Sequence, residues 1–341
     1  MAFVRTVLGD IPADDIGPVM FHEHVLFDIV PPGSCKDRNA AIPTTQRWQI
    51  DYRSNDTVAN AHQQDVDIAT QELRRFSADG GSLIVDQSVG GLARDANGLA
   101  LVAKASGTHL VAAAGTYTRP YLSSALIRLD LDDLTARFKA EVTQGLDGTS
   151  VRAGLIGEMG CSWPMAPFEC RALRAAARAA CETGAALSVH PGRAPHACED
   201  ILDIVEGEGL DLRRVVLCHM DRTHPDGSGI QPLLARGANV EWDFFGIEQS
   251  DYWMGEVDLP IDRDRLRLIA DFAQAGYEDQ ILVSQDICTK TRLHHWGGHG
   301  YGHILRNVVP LMHRFGFEPG LISNLLRDTP LRLLSLKETP V

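Results

Sequence analysis

The sequence predicts an α/β chain folded as one closed (β/α)8 barrel of the TIM type. Three observations carry that expectation. Eight short apolar runs read as strands, longer amphipathic stretches separate them, and no Pro/Ser/Gly-rich linker divides residues 1–341 into two domains. The runs, in order, are "GPVMFHEH", "SLIVDQ", "HLVAAAG", "RAGLIGE", "AALSVH", "RVVLCH", "ANVEWDFF" and "QILVSQD". Among the helical stretches, "ANAHQQDVDIATQELRRFSADGG" follows the first strand region, and "PFECRALRAAARAACETG" begins after Pro167 and ends in Gly184, as proline and glycine favour. Residues 31–55 form a long insertion after strand 1, and such loops inside compact domains are usually functional.

The strand ends carry the chemistry. In a strand, positions i and i+2 share a face, so His22 and His24 converge and Glu23 points away. Barrels of this type place their active groups at the C-terminal strand ends. His22 and His24 end the first predicted strand, Glu158 the fourth, His190 the fifth, His219 the sixth and Asp286 the eighth. Five strand ends thus deliver metal-binding side chains to one mouth. A catalytic zinc typically takes three protein ligands plus water. Four histidines and two carboxylates instead suit two ions roughly 3.5–4 Å apart. Glu158, with two oxygens to share, is the expected bridge, and Asp286 can both bind one ion and accept a proton.

Composition narrows the function class. A formal net charge of −13 argues against nucleic acid or anionic membrane as a partner. No apolar stretch reaches the roughly 18 residues of a membrane span, and the N-terminus lacks a signal-peptide pattern. Seven scattered cysteines without a C-x-x-C pair read as reduced thiols of a cytoplasmic protein, with Cys161 and Cys218 as packing groups.

The chain resembles the phosphotriesterase family of the amidohydrolase superfamily over nearly its whole length. The resemblance rests on "TVLGDI", "GPVMFHEH", Arg94–Asp95, "GLIGEMG", "HPGR", "HMD", "WDFFG", "SQDICTK" and "GGHGYGHIL". It is closest to the phosphotriesterase-related branch, through "IGEMGCSWP", "HPGR" and "HMDRT". This implies a binuclear centre on His22, His24, Glu158, His190, His219 and Asp286, usually of zinc, with manganese, cobalt or nickel able to substitute. The name-giving phosphotriesterases bridge their metals with a carboxylated lysine, whereas this chain has Glu158. The implied reaction is hydrolysis at a carbonyl centre by a metal-bridging hydroxide. The substrate would be an amide of the N-acyl amino acid or acyl-taurine type, or a lactone or ester. Phosphotriester hydrolysis is the alternative within the family, and an inactive binding protein on the same fold is the alternative outside enzymes.

Other residues complete the expected site. Tyr117, after the third strand, reads either as a packing tyrosine or as a hydroxyl over the metals that orients the scissile carbonyl. Arg193, Lys290 and Arg292 follow ligand residues and would ring the mouth, where they would recognise a small anionic substrate; surface ion pairing would explain them equally. Asp221 and Asp243 could orient ligand histidines from behind, and a core or surface role is as compatible for Asp243. His295, His299 and His303 are spaced by four, but the intervening glycines favour a loop over a second metal site. A homodimer is compatible with this reading.

Overall fold

The computed structural model describes residues 2–52, 57–249, 252, 254–255 and 257–336. Its centre is an eight-stranded sheet of β1 (Val19–Glu23), β2 (Leu83–Asp86), β3 (His109–Ala114), β4 (Leu155–Gly160), β5 (Leu187–His190), β6 (Val215–Leu217), β7 (Asn239–Trp242) and β8 (Ile281–Val283). Neighbours pair in parallel and in chain order from β1 to β8. Seven of the eight predicted strand runs contain one of these strands whole, and the fourth, "RAGLIGE", covers β4 up to Glu158, two residues short of its end. Between β8 and β1 no ladder forms among the described residues. That seam is closed near the mouth by Asp286 N donating to the His22 carbonyl at 3.0 Å and by His22 N donating to Ser284 Oγ at 2.9 Å.

Helices cover the outside: α1 (Val66–Ala78), α2 (Ala96–Ser106), α3 (Leu131–Thr143), α4 (Pro167–Thr183), α5 (Ala197–Gly207), α6 (Ile230–Ala235), α7 (Asp262–Phe272) and α8 (Val309–Arg314). Strand residues alternate between two apolar layers. Val19, Phe21, Leu83, Val85, Val111, Leu155, Val216 and Leu282 fill the barrel interior. Met20, Ile84, Leu110, Ile156, Val189, Val215 and Ile281 pack against the helices. Both faces of each strand are therefore buried, as a parallel sheet requires.

Two features lie outside the sequence reading. A hairpin of Phe3–Thr6 and Gly9–Pro12, joined by Ser335–Leu336, makes a small antiparallel sheet. Its Val4 joins Leu331, Leu333 and Leu334 in the interior apolar cluster. The stretch from Ala59 to Gly81 is also not one helix. Asp65 caps α1 by accepting from Asp67 N at 2.9 Å and Ile68 N at 3.0 Å. The residues before it form a short turn and the two-residue strand His62–Gln63, paired with Phe27–Asp28. That ribbon brackets the predicted 31–55 insertion, which contains the helix Arg47–Tyr52; residues 53–55 lie outside the described residues. No helix among the described residues is long and apolar enough to cross a membrane. All seven cysteines are free thiols, and Cys161 and Cys218 are buried as expected.

The ligand strands depart from regular pleating where the ligands sit. The β1–β2 register shifts between Met20 and Glu23, and the β4–β5 register shifts between Ile156 and Met159. Such irregularities re-aim side chains. At the second shift Gly157 has φ +110°, and a Cβ there would lie 1.9 Å from the Ser188 carbonyl oxygen. Gly157→Ala must therefore move β4 away from β5 and adopt a conformation open mainly to glycine. It should lower unfolding free energy by about 3 kcal/mol or more. Urea denaturation with an unchanged midpoint would contradict this account of the bulge.

Candidate metal centre

The six predicted ligands meet at the C-terminal mouth, though not all of them end strands. His22 lies within β1, Glu158 within β4, and His190 is the last residue of β5. His24 is one residue past β1. His219 is two residues past β6, with φ +59°, and Asp286 is three past β8, with φ +46°. The expectation that these residues end their strands is thus corrected for Glu158, which β4 passes by two residues, and for His219 and Asp286, which lie beyond β6 and β8. His219 and Asp286 each sit in a left-handed turn that swings the chain out of the sheet, a conformation uncommon outside glycine and found where structure holds it.

Glu158 is the common point. Its Oε2 lies 2.8 Å from His190 Nδ1, 3.2 Å from His219 Nε2 and 3.7 Å from His22 Nε2. Its Oε1 lies 3.5 Å from His24 Nε2. Asp286 Oδ1 is 3.1 Å from His24 Nε2 and 3.9 Å from His22 Nε2. The donor atoms of five of them form two groups, His22–His24–Glu158 and Glu158–His190–His219, each within 4.8 Å, and His22 shares a third such group with Cys218, Glu241 and Asp243. Imidazole and carboxylate donors in two groups sharing one carboxylate fit two divalent cations, Glu158 contributing to both.

Electrostatics agree with that fit at Glu158, Asp286, His190 and His219, whereas His22 is pushed well up against its burial by Cys218, Glu158 and Glu241, and His24 is pushed up against its burial by Asp286 and Glu158. Burial alone would push the Glu158 carboxyl up, but His190, His219 and His22 outweigh it and hold it well below the usual carboxylate range. Burial is likewise outweighed at Asp286, where His24 and the neighbouring imidazoles hold the carboxyl at about 2. Burial, joined by the positive charge of Arg222, lowers His190 to about 4. His219 is lowered for the same reasons. Neutral imidazoles and ionised carboxylates are the forms that ligate metals.

Three of the four histidines are hydrogen-bonded from behind, and His22 is faced by carboxylates there. His219 Nδ1 contacts Asp243 Oδ1 at 2.9 Å, and its backbone N–H donates to Asp243 Oδ2 at 2.9 Å. Asp243 N in turn donates to Asp221 Oδ2 at 3.0 Å, and Asp221 pairs with buried Arg265. Of the two aspartates, Asp243 thus touches a ligand directly and Asp221 acts one step further out. His24 Nδ1 contacts Ser88 Oγ at 3.0 Å, while Ser88 N donates to Asp86 Oδ1 at 3.0 Å. His22 Nδ1 faces Glu241 Oε2 at 3.4 Å and Asp243 Oδ2 at 3.5 Å. His190 Nε2 meets Arg222 Nη2 at 3.1 Å, and the same Nη2 donates to the Pro191 carbonyl at 2.9 Å. Ser88, Asp86, Glu241 and Arg222 were not foreseen. Glu241 alone left a signal, a charge inside the apolar run "ANVEWDFF".

The expected rim residues divide. Tyr117 stands edge-on to His190, with ring centroids 5.0 Å apart, and burial pushes its phenol well up. Arg193 Nε donates to the Tyr252 hydroxyl at 3.2 Å, and no carboxylate pairs with Arg193 among the described residues. Lys290 Nζ lies 5.4 Å from the centroid of the Trp296 ring, within the influence of Asp37 and Asp65. Arg292, expected to contact substrate, is instead spent on the scaffold. It donates to the Asp286 carbonyl at 2.8 Å, the Phe245 carbonyl at 3.0 Å and the Gln285 carbonyl. The glycine loop is as expected and gathers no three histidines. His303 Nε2 binds Asp262 Oδ2 at 2.7 Å, His299 Nδ1 contacts the Gly300 carbonyl at 3.0 Å, and His295 packs on Trp296.

The sequence pattern of the phosphotriesterase family matches residues 2–334. The chain belongs to the phosphotriesterase family. N-acetyltaurine hydrolase of Salmo salar is 37% identical over 344 residues, covering 98% of each chain. N-acetyltaurine hydrolase of Homo sapiens is 35% identical over 345 residues, again covering 98% of each. Among solved structures, a resiniferatoxin-binding protein from Rhodobacter sphaeroides superposes with TM-score 0.91 at 34% identity, covering 97% of this chain and 94% of the other. A lactonase from Listeria monocytogenes shares the fold, with TM-score 0.81, 24% identity, and coverage of 98% of this chain and 100% of the other.

Proposed function

We propose that this chain is a metal-dependent hydrolase that cleaves the acyl amide of a small anionic amine, with an N-acetyltaurine-type amide as substrate. The observation that carries the reading is Glu158, shared between two buried groups of ligating atoms, in a chain that matches N-acetyltaurine hydrolases from end to end. The centre would hold two divalent cations, most suitably zinc, with manganese, cobalt or nickel as substitutes. Such ions lower the pKa of water and polarise a carbonyl when bound.

The chain's own residues supply the rest. Asp286, ionised at neutral pH, is the carboxylate available to take a proton from water and return it to the leaving nitrogen. Tyr117 keeps its proton at neutral pH and can donate to the carbonyl oxygen beside His190. Arg193 lies near enough to Tyr117 and Tyr121 for their charges to interact. Its guanidinium, without a carboxylate among the described residues, would bind the sulfonate or carboxylate of the substrate. The solved relative named for binding resiniferatoxin favours a second reading, a binding protein without turnover. Assay of the zinc- and manganese-loaded chain on N-acetyltaurine, N-acetyl amino acids and lactones separates the two readings and ranks the substrates.

Elemental analysis of loaded, desalted protein should find about two equivalents of metal per chain; one or none would remove the binuclear reading. Asp286→Asn should cut kcat about a hundredfold or more while metal content falls much less, because an amide cannot accept the proton. Near-normal turnover would exclude Asp286 as the base. Losing a charge-assisted contact costs about 1.5–3 kcal/mol, on the order of ten- to a hundredfold in kcat/KM. Arg193→Ala should therefore slow an N-acyl amino acid by that factor and spare its methyl ester. Equal slowing of acid and ester would make Arg193 structural.

A further inference from the structure

Glu23, the residue between the two ligand histidines of β1, is wholly buried, yet it neither faces the metal ligands nor pairs with a cation among the described residues. Burying a carboxylate in this way is costly unless hydrogen bonds replace its water. Four do, and all come from the segment Ser284–Ile287. Glu23 Oε1 accepts from Ser284 Oγ at 2.9 Å, Gln285 N at 2.9 Å and Gln285 Nε2 at 2.8 Å. Glu23 Oε2 accepts from Ile287 N at 2.9 Å. Asp286 is the residue at the centre of that segment.

Asp286 needs to be held. Its backbone is left-handed, with φ +46°, and it stands three residues beyond the end of β8, where no ladder joins β8 to β1 among the described residues. From the opposite side Arg292 donates to the Asp286 carbonyl at 2.8 Å. Asp286 N reaches the His22 carbonyl at 3.0 Å. The Asp286 backbone is thereby fixed on both flanks, and its carboxylate is turned to His24.

We propose that Glu23 is the positioning residue of Asp286: it clamps the segment after β8 across the open seam of the barrel and so sets the carboxylate that binds metal and accepts the proton. This rests on the proposed role of Asp286. An apolar residue at this position could not satisfy the four donors. Glutamine is the informative substitution. It keeps the volume, yet turns one oxygen into a donor that must face an N–H or O–H already donating.

The test is a double-mutant cycle on kcat with N-acetyltaurine, combining Glu23→Gln with Asp286→Asn. Displacing a catalytic group by about 1 Å costs on the order of a hundredfold. Glu23→Gln alone should lower kcat about ten- to a hundredfold with little change in KM, and should slow Asp286→Asn no further. Chelator titration should show one of two metal equivalents weakened, that of His22, His24 and Asp286, with the other unchanged. The proposal is overturned if Glu23→Gln keeps its kcat, if its effect adds fully to that of Asp286→Asn, or if both equivalents weaken together. Should Glu23→Gln fail to fold by circular dichroism, Ser284→Ala, which removes one contact of the same clamp, takes its place in the cycle with a smaller effect of the same pattern expected. If the unsubstituted chain leaves N-acetyltaurine intact, the proposed function fails, and the chelator titration still decides the role of Glu23.

Discussion

The mouth of the barrel is organised by one buried carboxylate among four imidazoles. Glu158 is almost fully buried and stands within 3.7 Å of a nitrogen on each of His22, His24, His190 and His219. An ionised carboxylate removed from water is tolerated only where partners compensate it. Here the compensation comes from side chains on β1, β5 and the turn after β6, so Glu158 ties three parts of the sheet to one point. Both register shifts in the barrel lie at ligand strands, β1 and β4, and both re-aim side chains toward that point.

The residue types at that point were legible in the sequence because the strand period is fixed. Alternation predicts that His22 and His24 share a face opposite Glu23, the register shift between Met20 and Glu23 is what the pattern does not show, and His190 ends β5 as expected. The type of His219 and Asp286 was equally legible, but their geometry was not. The apolar runs "RVVLCH" and "QILVSQD" continue past the observed strand ends at Leu217 and Val283, and nothing local marks where the ladder stops. A left-handed turn at a histidine or an aspartate is set by the contacts that hold it, which lie far away in sequence.

The same limit explains what was misread or missed. Arg292 follows Asp286 by six residues, a spacing that suits a rim cation, yet its guanidinium is saturated by carbonyls of Gln285, Asp286 and Phe245. Glu23 meets donors more than 260 positions along the chain. Arg222 reaches His190 from beyond the neighbouring strand β6, and Glu241 on β7 reaches His22 on β1, two strands away. Pattern reading finds groups that act through their own strand. It does not find groups that act on another strand, because register between strands is not written in either segment alone. The start of α1 was different: Asp65 is an ordinary capping residue within an amphipathic stretch, and the periodicity upstream of it concealed the boundary.

The groups behind the four histidines make the two halves of the centre electrostatically unlike. Asp243 stands behind His219 and, with Glu241, behind His22, while Ser88 stands behind His24. A carboxylate at the rear of an imidazole strengthens its donor nitrogen. His190 has a guanidinium at its rear instead, that of Arg222, which disfavours positive charge on the ring. Of the four, His190 is thus the one with a cation at its rear among the described residues. Tyr117 stands against this ring, and Arg193 lies within charge range of both. Positive potential and a hydrogen-bond donor thus gather on the β5 side, while Asp286 occupies the β8 side near His24. On the proposed reading this asymmetry orients the substrate. The carbonyl oxygen and the anionic tail are both drawn toward β5, which leaves the opposite side to the proton-accepting carboxylate. The chain's net charge is −13, yet its negative side chains at the mouth face histidines and backbone donors, whereas Arg193, which donates to the Tyr252 hydroxyl, pairs with no carboxylate among the described residues.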